Sequence, residues 1–236
     1  MEIETQKGSC HTHDHEQASV LSELICHLPY AIFSVAFGLI ILSFLAFGGM
    51  ADGSKAHAKG LHMLFHSFHF LHIIFATTGC LVTFSRFSSN IVKGLVVSLF
   101  TALFFCTLSD VVLPYLTGTM FGVHMHFHIC LWSELHNIVP FLSIGLLNGF
   151  ILSRHTTVNR AAYSVASHFG HILTSSLASL FYLVSEGFAQ WNVYMGMVFV
   201  LLIIAVVVPC TFADVIVPVL FAQMGNKNEK HQASKH

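Results

Sequence analysis

The chain has 236 residues, of which 55% are hydrophobic and 9% charged, and its formal net charge is −1. Soluble chains carry about a quarter charged residues, so the composition excludes an ordinary soluble domain, and the near-neutral balance gives no footing to nucleic acid. Eighteen histidines outnumber the ten lysines and arginines, and the six cysteines form no CxxC pair, so a disulfide framework is not expected.

Residues 1–27 are polar, acidic and histidine-rich, with His13, His15 and Glu23 among them. This segment lacks the basic start and small-residue cleavage site of a signal peptide, so the apolar run 28–49 reads as a retained transmembrane helix. Further runs at about 61–84, 91–116, 137–153, 165–185 and 193–222 approach or exceed the roughly 20 residues that cross a bilayer core. The expected fold is an all-α polytopic membrane protein with six transmembrane helices. Pro114, Pro209 and Pro218 fall in the third and sixth runs, where they break or kink a helix. Basic residues fix the orientation. The side holding both termini carries Lys7, Arg86, Lys93, Arg154, Arg160, Lys227, Lys230 and Lys235, and the other side only Lys55 and Lys59. Both termini are therefore expected in the cytoplasm, for instance beneath a bacterial inner membrane. Trp132 and Trp191 fall at expected interfaces as belt residues.

The sequence repeats itself. HDHEQASVLSELICHLP (13–29) aligns without gaps on HMHFHICLWSELHNIVP (124–140), HSFH (66–69) on HFGH (168–171), and CTLSDVVLPYL (106–116) on CTFADVIVPVL (210–220). The three blocks recur in the same order at offsets of 111, 102 and 104 residues. The chain then divides into a cytoplasmic histidine-rich amphipathic lead-in (1–27), a first repeat of three spans (28–116), an external lead-in (117–136), a second repeat (137–222) and a cytoplasmic tail (223–236). Three spans per copy is an odd number, so the second copy lies inverted, a pattern that places ligand sites near the membrane midplane. Ser34 and Gly38 align with Gly145 and Gly149, small residues that let helix backbones approach.

Ionisable groups inside a membrane are costly unless a partner or cavity receives them. The repeated set is His66, His69 and Asp110 in one copy and His168, His171 and Asp214 in the other, with His124, His126 and Glu134 or His13, His15 and Glu23 from the lead-ins. These are ligand types for a divalent transition metal. Residues three or four apart share a helix face, which also joins Cys106 to Asp110 and Cys210 to Asp214. His62 and His72 extend the first face and align with Ser164 and Thr174, so they rank as accessory; the competing role of His72, as of His27 and His155, is packing. For the two aspartates the competing role is to satisfy backbone groups freed by Pro114 and Pro218; for Cys106 and Cys210 it is apolar filling. Topology pairs each span set with the lead-in of the other copy. The function expected is transport of a divalent ion of the Zn, Mn, Fe or Ni class by alternating access, with proton exchange through His and Asp. A homodimer is compatible with so small a transporter. A b-type haem held between histidines of two helices, or a metal-dependent membrane oxygenase or hydrolase, are the alternatives; no catalytic residue is expected.

The elements FFCTLSDVVLP (104–114) and VPCTFADVIVP (208–218) resemble the Pro/Cys/Thr break in the helices of multi-span heavy-metal permeases, and the His-x-His pairs resemble those of manganese or heavy-metal exporters. The resemblance covers these short motifs and implies metal transport; it assigns no site residues.

Overall fold

Backbone inside lipid has no water to bond, so each apolar run must close its hydrogen bonds within itself. The computed structural model describes residues 20–52, 55–154 and 160–224, and among these it contains helix and no strand. In chain order the helices are α1 (Val20–Asp52), α2 (Lys55–Phe87), α3 (Ile91–Thr107), α4 (Leu113–Met120), the single turn α5 (Cys130–Ser133), α6 (Leu135–Arg154), α7 (Arg160–Ser185) and α8 (Met195–Thr211). Two π-helical segments, Leu108–Val112 and Phe212–Ile216, follow α3 and α8. The backbone then resumes α-helix, so that Ile91–Met120 and Met195–Met224 are each one long rod.

Five helices are long and apolar enough to cross a membrane: Val20–Gly48, Ala58–Phe87, Ile91–Met120, Leu135–Arg154 and Met195–Met224. Their outward faces are apolar, with Phe33, Phe37, Phe44 and Phe47 exposed on α1 and Val96, Phe100 and Phe104 on α3. Such contiguous apolar surface suits lipid and not water. The expected span 165–185 lies in α7, which has the length, at 26 residues, but not the hydropathy. Its Ser175, Ser176 and Ser179 are fully buried and bonded within the protein. A helix surrounded by other helices can carry polar groups that a lipid-facing helix cannot.

α2 and α7 pack on each other at the centre, α1 lies on α7 and α8, and α6 lies on α2. The small residues singled out in the sequence sit in these seams. A Cβ on Gly38 would meet Leu180 Cδ1 at 2.5 Å; on Gly145 it would meet the backbone oxygen of Ile74 at 3.0 Å; on Gly149 it would meet Leu81 Cβ at 3.1 Å. The α2–α6 seam is further tied by Thr78, whose hydroxyl donates to Gly145 O at 3.0 Å.

Three expectations need correction. Trp191 is buried, 6% exposed within the main apolar cluster, and is not an interface belt residue. Cys26 is disulfide-bonded, whereas Cys80, Cys106, Cys130 and Cys210 are free. α1 begins before residue 28, so Glu23 and Pro29 belong to the first long helix. His13, His15 and His155 lie outside the described residues.

Gly145→Ala should lower the stability of the detergent-solubilised protein by about 1–3 kcal/mol, because the added methyl meets backbone that cannot rotate away. Gly48→Ala, with nothing within 4 Å of its Cβ position, should leave the unfolding midpoint nearly unchanged.

Candidate metal centre

The two π segments position the site. Proline has no N–H and cannot close a helical hydrogen bond, so a proline inside a membrane helix leaves a carbonyl to be satisfied otherwise. Upstream of Pro114 the helix widens: Leu113 N–H reaches back five residues to Leu108 O. In that register Pro114 would have served Ser109 O, and Ser179 Oγ from α7 donates to that carbonyl instead, at 3.0 Å. Upstream of Pro218 the same widening occurs, with Val217 N–H bonded to Phe212 O. Each π segment carries one buried carboxylate, Asp110 or Asp214.

Each carboxylate accepts from two imidazoles of one helix, three residues apart and so on one face. Asp110 Oδ2 accepts from Nδ1 of His69 at 2.9 Å and of His72 at 2.7 Å. Asp214 Oδ2 accepts from Nδ1 of His168 at 2.9 Å and of His171 at 2.6 Å. A carboxylate only accepts, so Nδ1 carries the proton and Nε2 keeps its lone pair. The His72 and His171 rings then meet at the α2–α7 seam, centroids 4.6 Å apart. Nε2 of His72 faces Cys210 Sγ at 3.8 Å, and Cys106 approaches His72 and Cys210 from the other π-containing rod. His72, His171 and Cys210 each present a donor atom within 4.8 Å of the other two, all buried. His171 Nε2 and Asp214 Oδ1 are buried with no hydrogen-bond partner. Asp110 Oδ1, by contrast, accepts from Ser109 Oγ at 2.7 Å and Ser175 Oγ at 2.9 Å.

This arrangement redistributes the residues expected from the sequence. Asp110, Asp214, His69, His168 and His171 are brought together as pairs. Cys106 and Cys210, for which apolar filling was the competing role, lie at the centre. His72, ranked as accessory or packing, is a principal member, because the pair equivalent to His168/His171 is His69/His72 and not His66/His69. The repeat therefore runs at an offset of 99 here, matching HFLH to HFGH. His66 does not bond Asp110; its Nδ1 lies 3.6 Å from Cys130 Sγ.

His66 belongs to a second group at the other end of α2. His62, His66 and His128 hold donor atoms within 4.8 Å of one another and are half-buried. Glu186 Oε1 lies 3.6 Å from His62 Nε2. Burial pushes the Cys130 thiol up to about 12, so it meets His66 as a neutral thiol. The segment before α6 meets α2 through His128 and Cys130. His124 and His126 are exposed, and His126 contributes its backbone N–H, bonded to Glu186 O at 2.9 Å. Glu134 accepts from Asn137 Nδ2 at 2.5 Å. The Glu23 carbonyl accepts from His27 Nδ1 at 2.7 Å, and the buried His27 ring stands edge-on to His168, centroids 5.0 Å apart. His128, Glu186 and Ser175 were missed in the sequence. His128 carried a signal, as the third alternate histidine of HMHFH; Glu186 and Ser175 lie outside every repeated block.

No family model, curated protein or solved structure gives a significant match to the chain.

Ser175→Ala removes a buried donor to a carboxylate and should cost about 1–3 kcal/mol of stability. Ser143→Ala, whose hydroxyl bonds Val139 O on an exposed face, should shift the same unfolding midpoint by under about 0.5 kcal/mol.

Proposed function

We propose that the protein moves a divalent transition-metal ion across a membrane, binding it as substrate at the buried centre of His72, His171 and Cys210, with Cys106 beside them. The observation that carries this reading is the pair of carboxylate-backed imidazoles, one from each repeat, converging with a thiol. A carboxylate on Nδ1 fixes ring orientation and tautomer and raises the basicity of Nε2, the usual support of a metal-bound histidine. The donors are more widely spaced than ligands held at about 2.0–2.3 Å around zinc, so binding would draw the two rings and the sulfur inward. Mixed imidazole and thiolate donors suit the zinc end of the expected class and disfavour manganese. Binding to the thiol displaces its proton, which supports coupling to proton movement.

Alternating access draws on the repeat. In this reading α7 crosses the membrane as a sixth span, its polar face screened by α1, α2 and α8. The two copies are inverted relative to each other, and α1 on α7 mirrors α6 on α2. The substrate lies where the copies meet, as in other inverted-repeat carriers. The proline-linked π segments are the places where each long rod can flex. They are also the elements that resemble the broken helices of heavy-metal permeases. The haem alternative is less well supported, since imidazoles with centroids 4.6 Å apart leave no width for a porphyrin plane between them. An oxygenase or hydrolase gains no support from a centre whose three donor residues are all buried.

The test is Zn2+ flux into proteoliposomes carrying an internal fluorescent indicator. Asp110→Asn and Asp214→Asn should each weaken metal affinity about 10–100-fold, and His171→Ala and Cys210→Ser should reduce flux at least to the same extent. Flux at wild-type level in His171→Ala and Cys210→Ser would sink the assigned centre. Absence of Zn2+ flux in the wild type would sink transport of this ion class.

A further inference from the structure

Along α2 the histidines His62, His66, His69 and His72 follow one another at spacings of four, three and three residues, which places them on one stripe. The lower pair serves Asp110 and the buried centre. The upper pair meets His128 from the segment before α5, and the three rings form a triangle. Centroids are 4.5 Å apart for His62–His66 and 5.7 Å for both His62–His128 and His66–His128. Their planes stand at 79°, 53° and 90° to one another, two pairs edge to face and one tilted, with none stacked. One donor atom of each lies within 4.8 Å of the others. Every ring also has its own neighbour to hold it: Glu186 for His62 at 3.6 Å, Cys130 for His66 at 3.6 Å and Ser133 Oγ for His128 at 3.4 Å.

We propose that His62, His66 and His128 form a second metal site, a half-buried tris-imidazole site for a borderline divalent ion such as Zn2+ or Co2+, which loads the buried centre along the α2 stripe. Three protein ligands leave the fourth tetrahedral position for water, the arrangement of exchangeable and not of closed structural sites. The Glu186 carboxylate, 7% exposed, brings negative charge to the rim. At about 1.5 Å rise per residue, the ten residues from His62 to His72 span about 15 Å, with His69 between the two sites. The second copy has no such site: at the offset of 99 the places of His62 and His66 are taken by Ala161 and Val165. Among the described residues, the opposite approach to the centre offers His27 against His168. Among the described residues the tris-imidazole group lies at one end of the pathway alone. The existence of the site is independent of the transport reading; only its role as a loading station rests on it.

The experiment is a Co2+ titration of the full chain in detergent, followed by visible absorption, with His11, His13 and His15 replaced by alanine throughout so that the leading segment contributes nothing. Two equivalents are expected, one of them with a sulfur-to-cobalt charge-transfer band. His66→Ala with His128→Ala should remove one equivalent and leave that band. His171→Ala with Cys210→Ser should abolish the band and leave one equivalent with nitrogen and oxygen ligands. If the second double variant binds no Co2+ while the first still shows the band, the inference fails. It fails equally if the equivalent without the band survives His66→Ala with His128→Ala. If the wild type shows one equivalent with no band, and His66→Ala with His128→Ala abolishes it, the peripheral site stands and the buried centre falls.

Discussion

A carboxylate that accepts from two imidazoles on one helix face is the constraint on which the rest of this molecule depends. Neither group belongs in an apolar membrane interior alone. Asp110 with His69 and His72, and Asp214 with His168 and His171, solve each other's difficulty through short bonds of 2.6–2.9 Å. Each solution ties a π-containing rod to a central helix, α2 or α7. Because those bonds use Nδ1, they also turn Nε2 of His72 and His171 toward the seam between α2 and α7 and toward Cys210. The same interaction thus supports helix packing and presents the donor atoms.

The prolines decide where this can happen. Pro114 and Pro218 stand four residues after the aspartates, and the π segments just before them displace one turn of each rod. An ordinary α-helix packed this tightly would carry a small apolar residue at the contact. Here the widened turn inserts a charged one, and at Asp110 the freed backbone is repaired by Ser179 of α7. The two roles weighed for the aspartates in the sequence, ion partner and answer to the broken helix, are therefore not alternatives. The break creates the place and the carboxylate occupies it.

Much of this was legible before any coordinates. The long apolar runs gave the helices, and the repeated Cys-Thr-x-x-Asp-Val-x-x-Pro frame marked both π segments. The Gly145 and Gly149 contacts followed from small-residue spacing. What the letters hid was register within a histidine-dense stretch. HSFHFLH (66–72) contains two overlapping His-x-x-His pairs, and only packing against Asp110 distinguishes His69/His72 from His66/His69. α7 posed the opposite problem, since its serines lower its hydropathy, and their partners on the Asp110 segment lie about 65–70 residues away in sequence. Short-range pattern carries no record of such pairs.

The two similar stretches around Asp110 and Asp214 also differ in how each carboxylate is held. Asp110 has both oxygens engaged, Oδ2 by imidazoles and Oδ1 by the hydroxyls of Ser109 and Ser175. Asp214 has the same two imidazoles, but Ala213 stands in place of Ser109, and its Oδ1 is buried without a hydrogen bond. That oxygen lies against Gly79 of α2, where a Cβ would come within 2.7 Å of it. A carboxylate held at both oxygens is fixed, because any rotation breaks two bonds to hydroxyls as well as those to the rings. A carboxylate held at one oxygen can turn without losing any bond to a hydroxyl. Buried polar groups left unengaged raise the energy of the state that contains them, so the Asp214 half carries a cost that the Asp110 half does not. The first half is therefore fixed at both carboxylate oxygens, and the second keeps one of them unengaged.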